Sequence, residues 1–122
     1  MSDKVIENKN MSTCPLSYAL DLIGGKWRLP IIWALSQNET LRYNELKRKI
    51  EGITNMMLSQ VLKEMEGYGL VNRVQYMEIP PKVEYSLTKE GKDLIPALIS
   101  LARWGKTMKN KDEYICEKEK QV

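Results

Sequence analysis

The 122-residue sequence contains no histidine and no phenylalanine, and only two cysteines. Without histidine there is no Ser-His-Asp or Cys-His nucleophile pair, no imidazole general base and no His-ligated zinc. Cys14 and Cys116 stand far apart and neither belongs to a C-x-x-C pair, which excludes a Cys-only zinc site and a thioredoxin-type dithiol. With no Gly-rich phosphate loop either, a thiol enzyme is set aside. A small secreted scaffold carries more cysteine, so the expectation is a reducing cytoplasm. No apolar run approaches the ~18 residues of a membrane span. The polar opening MSDKVIENKNMST lacks the apolar core of a secretory signal. A non-enzyme with no membrane segment, metal or cofactor is expected.

What is present suits one modest core: 43% of residues are hydrophobic and 29% charged. The net charge of +3 is mild, but its distribution is uneven. Residues 42–50 hold Arg42, Lys47, Arg48 and Lys49 against Glu45 alone. Residues 1–13 read as a flexible N-terminal arm, 14–110 as one folded domain and 111–122 as a charged tail.

The periodicity predicts six elements. Cys14-Pro15 opens a helix, because proline at the first helical position is pre-organised; Leu16, Ala19, Leu20 and Ile23 repeat along it and Gly24-Gly25 ends it. A second helix carries Trp27, Leu29, Ile31, Ile32 and Leu35, with Asn38 and Thr40 in the turn after it. Residues 41–50 read as a third, short helix that buries Leu46 and Ile50 and exposes its basic side, with Gly52 as breaker. Thr54 caps a fourth helix running to about Tyr68. Its stripe of Met57, Leu58, Val61, Leu62 and Met65 reads as core, and Gly69 terminates it.

From Leu70 the period changes to two. Residues 70–77 and 83–87 read as strands of a hairpin, whose loop holds Pro80 and Pro81 because proline cannot pair in a ladder. Thr88 caps a last helix over 88–110, which Pro96 kinks or splits. Trp27, Trp33 and Trp104 read as packing anchors. The expected fold is mainly α with a small β-hairpin, a winged helix-turn-helix.

This order of elements points to DNA. The fourth helix turns Asn55, Met56, Ser59, Gln60 and Lys63 away from its apolar stripe, with Thr54 at its start. Amide and hydroxyl groups read base edges, and a methionine meets a thymine methyl. Arg42, Tyr43, Lys47, Arg48 and Lys49 are placed for phosphate contacts, as are Arg73 on a wing strand and Lys82 at the wing tip. The stripe Leu94, Leu98, Leu101, Ala102, Trp104, Gly105 and Met108, with Leu16 and Leu20 of the first helix, reads as a face that covers a second copy. Cys14, at a helix N-terminus that favours thiolate, is a candidate redox sensor. Its bland alternative is a small packed hydrophobe. Cys116 lies in the charged tail, where pairing with a partner's Cys14 is a minor expectation. The competing function is a winged-helix protein–protein interaction module without DNA contact. Such a module calls for an apolar or acidic outer face on the fourth helix, not this polar one with basic flanks.

Several blocks carry a family resemblance over residues 14–108. They are Cys14-Pro15, Ile23-Gly24-Gly25-Lys26-Trp27, Leu41-Arg42-Tyr43-Asn44-Glu45-Leu46, Gly69-Leu70-Val71-Asn72-Arg73, Pro80-Pro81-Lys82-Val83-Glu84-Tyr85-Ser86-Leu87-Thr88 and Trp104-Gly105. The sequence resembles the HxlR-type helix-turn-helix transcriptional regulators, relatives of the MarR type. The resemblance implies a homodimer joined through the first and last helices, a palindromic double-stranded operator, and bacterial transcription control as a repressor or activator. Some members sense electrophiles, hypochlorite or disulfide stress through an N-terminal cysteine that aligns with Cys14.

Overall fold

The computed structural model describes residues 14–121, with side chains through residue 112. The arm 1–13 and the Cys116 side chain lie outside the described residues. The described residues divide into two compact units, one ending at Lys92 and the other beginning at Asp93.

In the first unit, α1 spans Pro15–Ile23. Cys14 precedes it in extended conformation, Pro15 opens it, and the Gly24 N–H closes it on the Leu20 carbonyl at 2.7 Å. Helix α2, Arg28–Ser36, buries Ile31, Ile32 and Leu35. Trp33 on this helix and Trp104 further along the chain are exposed, so neither is the packing anchor expected from its type. Helix α3, Tyr43–Lys49, buries Leu46, and α4, Asn55–Gly67, buries Leu58, Val61, Leu62 and Met65.

Residues 41–50 are not one helix. Leu41–Arg42 form a short strand, β1, that pairs with a distant partner, Leu41 opposite Tyr85 and Arg42 opposite Glu84. The helix starts only after Arg42, where the Glu45 carboxylate accepts the Arg42 N–H at 2.8 Å and satisfies a donor the helix itself cannot. Strands β2 (Val71–Tyr76) and β3 (Lys82–Leu87) are antiparallel, and the sheet order is β1-β3-β2. The hairpin is therefore the wing, stitched to the helical body through β1.

Glycine closes α4. Gly69 takes φ +81°, which costs it little for want of a Cβ. Its turn hydrogen-bonds Leu70 N–H to the Met65 carbonyl at 2.9 Å. The Thr88 hydroxyl donates to the Gly69 carbonyl at 2.6 Å and accepts from Gly91 N–H at 3.0 Å. It thereby caps α5, Lys89–Asp93, against the end of α4.

In the second unit, α6 spans Ile95–Gln121. The expected helix over 88–110 is thus two helices. Pro96 falls in the first turn of α6, where its missing N–H removes no intrahelical bond. The helix runs on past residue 110. Among the described residues no helix is long and apolar enough to cross a membrane.

Gly91 packs where no side chain fits: a Cβ there meets the Leu70 carbonyl oxygen at 2.5 Å. Gly91→Ala is expected to lower stability by about 1–3 kcal/mol, the usual cost of overpacking against backbone. Thermal denaturation checks it, and an unchanged midpoint contradicts this packing.

Candidate nucleic-acid interface

Helix α4 divides its residues cleanly. The Thr54 hydroxyl accepts the Met57 N–H at 3.1 Å and starts the helix. Leu58, Val61, Leu62 and Met65 turn inward and are buried, while Met57 is half-buried. Asn55, Met56, Ser59, Gln60 and Lys63 are exposed. Met56 stands out at 78% exposure, a thioether presented to solvent beside two carboxamides and a hydroxyl.

Two side chains from other elements hold α4. The Tyr43 hydroxyl, at the start of α3, donates to the Asn55 carbonyl at 2.8 Å and lies 3.0 Å from the Ser59 hydroxyl. Tyr43, Asn55 and Ser59, expected as separate contacts, are therefore one cluster. On another side of α4, the Arg28 guanidinium donates to Glu64 at 2.9 Å, to the Asp21 carbonyl at 2.7 Å and to the Leu22 carbonyl at 3.3 Å. It also lies 5.3 Å from the Tyr68 ring centroid. One guanidinium thus ties the C-terminal turn of α1 to α4. The Arg28 hydrogen bond, seconded by one from Gln60, holds the Glu64 carboxyl below the usual carboxylate range. The same bond to Glu64 raises the Arg28 guanidinium further. Gln60 spends an N–H on Glu64 at 3.3 Å. No local spacing announces a pair 36 residues apart, so sequence reasoning missed Arg28 and Glu64.

The cations are placed unevenly. Arg42, Arg48 and Lys49 are exposed and Lys47 is half-buried. Arg73, on β2, lines a cleft of about 320 Å³ with Ser59, Lys63, Leu62, Glu66 and Tyr85, which brings the wing and α4 together. Lys82 departs from expectation. It is the first residue of β3, paired with Tyr76, not the wing tip. Its ammonium lies 3.5 Å from Glu84 and 4.6 Å from the Tyr76 ring centroid. The tip itself presents Met77 and Ile79, both fully exposed.

Cys14 is exposed at the N-terminus of α1. The polar groups of the first turn, chiefly Ser17 with its backbone N–H and hydroxyl and then the Leu16 N–H, favour the thiolate and lower its thiol pKa. Leu16 (68%) and Leu20 (53%) are exposed on α1. On α6, Leu101, Trp104 and Met108 are exposed, as are Ala102 and Gly105. Leu94 is half-buried and Leu98 buried, so the expected stripe is not open throughout.

A helix-turn-helix followed by a β-wing, with a polar outward face on its second helix, defines a winged-helix transcriptional regulator of MarR-like type. Residues 22–113 match the family described as HxlR-like helix-turn-helix, and the chain belongs to that family. It is 50% identical over 97 residues to the HTH-type transcriptional regulator BH0655 of Halalkalibacterium halodurans, covering 80% of this chain and 86% of that one. The redox regulator HypR in its reduced form is similar in structure, with a TM-score of 0.76 and 38% identity over 81% of this chain and 97% of that one. A regulator described as of the MarR family, from Enterococcus faecalis, has a TM-score of 0.68 and 41% identity over 92% of this chain and 94% of its own. These relatives are transcriptional regulators, not enzymes.

The Arg28–Glu64 pair is partly exposed, 19% and 34% for the two side chains, so it stabilises by less than about 1 kcal/mol. Because the folded Glu64 pKa is depressed, this stability is present above the unfolded carboxylate range and is lost as pH falls through the folded pKa. Glu64→Gln is expected to be slightly less stable than wild type at neutral pH and equal to it in acid. Denaturant melts at the two pH values check this; a difference that grows in acid contradicts it.

Proposed function

We propose that the chain is a dimeric, sequence-specific DNA-binding regulator of transcription in the cytoplasm, with a thiol switch at Cys14. The observation that carries the reading is the outward face of α4, where Asn55, Met56, Ser59, Gln60 and Lys63 stand exposed opposite a buried apolar face. Helix α4 enters the major groove, where these groups meet base edges. Arg42, Arg48, Lys49 and Arg73 lie on phosphates, with Lys47 at the margin. The interaction-module reading calls for an apolar or acidic α4 face, which this polar one does not supply.

The exposed apolar residues of α1 and those of α6 support pairing with a second copy. A two-fold dimer matches a palindromic operator with half-sites about 34 Å apart. Fluorescence anisotropy against a randomised duplex pool and the fragments selected from it tests the reading. Selected fragments are expected to bind two chains per duplex, with an affinity that falls steeply with salt. Arg48→Ala is expected to weaken binding to all sequences alike and to reduce the salt slope by about one. One chain per duplex contradicts the dimer, and a salt-independent affinity contradicts the DNA reading.

The Cys14 reading rests on its exposure, its lowered pKa and the likeness to HypR, a redox regulator. A thiolate is the form that attacks oxidants and electrophiles. Modification at the start of α1 reaches α4 through Arg28, which holds both. Wild-type DNA affinity is expected to change after diamide, whereas Cys14→Ser is expected to bind as the reduced protein does with or without it. An identical diamide response in the two proteins removes Cys14 from sensing.

A further inference from the structure

The sequence places Tyr43 among the phosphate contacts, but its hydroxyl is already committed. It donates to the Asn55 carbonyl at 2.8 Å and lies 3.0 Å from the Ser59 hydroxyl and 3.4 Å from Asn55 Oδ1. A phenol has one proton, and a carbonyl oxygen only accepts. With the Tyr43 proton on the shorter bond, to Asn55, the 3.0 Å bond to Ser59 has one remaining donor, the Ser59 hydroxyl itself. Ser59 therefore spends its proton on Tyr43 and shows only lone pairs to solvent.

We propose that Tyr43 is a positioning residue for specificity, setting Ser59 as a hydrogen-bond acceptor towards bases. The inference rests on the reading of α4 as the major-groove helix and deepens it. In the major groove, the groups that donate are the amino groups of adenine (N6) and cytosine (N4). Thymine O4 and guanine O6 and N7 accept. A serine free to rotate pairs with either kind. A serine held by Tyr43 selects adenine or cytosine at the position it faces and disfavours thymine or guanine there. Tyr43 lends no proton to phosphate.

The test is selection from a randomised duplex pool with wild-type, Tyr43→Phe and Ser59→Ala proteins, followed by affinity against salt on the selected fragments. Tyr43→Phe keeps the ring and loses the hydroxyl. Wild type is expected to favour an amino-bearing base at one half-site position by about fivefold, the size of one net hydrogen bond. Tyr43→Phe is expected to bring that preference close to unity, leaving the other positions and the salt slope unchanged. Ser59→Ala is expected to erase preference at the same position, which keeps the test open should Tyr43→Phe fold poorly. A Tyr43→Phe profile identical to wild type overturns the inference, as does a salt slope reduced by about one, the mark of a lost phosphate contact. A Ser59→Ala profile unchanged at every position also overturns it. Absence of any sequence preference in the wild-type protein overturns the DNA reading itself and this inference with it.

Discussion

Everything in the first unit answers to the burial of one face of α4. Leu58, Val61, Leu62 and Met65 lie inward, each stabilising the fold by about 1.5–3 kcal/mol once removed from water. Rotating the helix exposes that stripe, so its opposite face is fixed as well. The residues on that opposite face are polar, with Met56 the exception and Lys63 the one cation. A helix held so firmly on one side and so sparingly furnished on the other is a rigid platform for a few directed hydrogen bonds.

Apolar burial fixes rotation about the axis but leaves fine placement to polar contacts. Tyr43 holds the first turn of α4, and Arg28 holds a later turn at Glu64 while gripping the last carbonyls of α1. These contacts are modest in energy. Their weight lies in geometry, because bases are read only within hydrogen-bond distance. Arg28 also gives α1, which begins beside Cys14, a direct connection to α4. The wing is coupled differently, through the two-residue β1 and the Thr88 bridge to Gly69.

Local pattern made much of this legible. Thr54, the apolar stripe and Gly69 mark α4 from cap to stop, and the structure keeps all three. Gly24 and Pro96 likewise end or divide helices where their backbone chemistry dictates. The misreadings of β1, Lys82 and the Arg28–Glu64 pair share one cause, which is partnership between distant residues. Leu41-Arg42 has no strand character by itself and becomes β1 only because Glu84 and Tyr85 lie opposite. Lys82 reads as a free tip cation until the ladder sets it beside Glu84 and Tyr76. Arg28 and Glu64 show no periodic signal at all. In the candidate site, the exposed face of α4 was legible, while the hydrogen bonds that fix the donor or acceptor character of its members were not.

We propose the outward face of α4 as the surface that reads DNA. Amide and side-chain NMR of the chain titrated with a duplex taken from selection tests it directly. The account predicts the largest shifts, and intermolecular contacts to base protons, at Asn55, Met56, Ser59 and Gln60, with lesser shifts at Arg48, Lys49 and Arg73. Base contacts confined to other elements, with α4 unmoved, would contradict it.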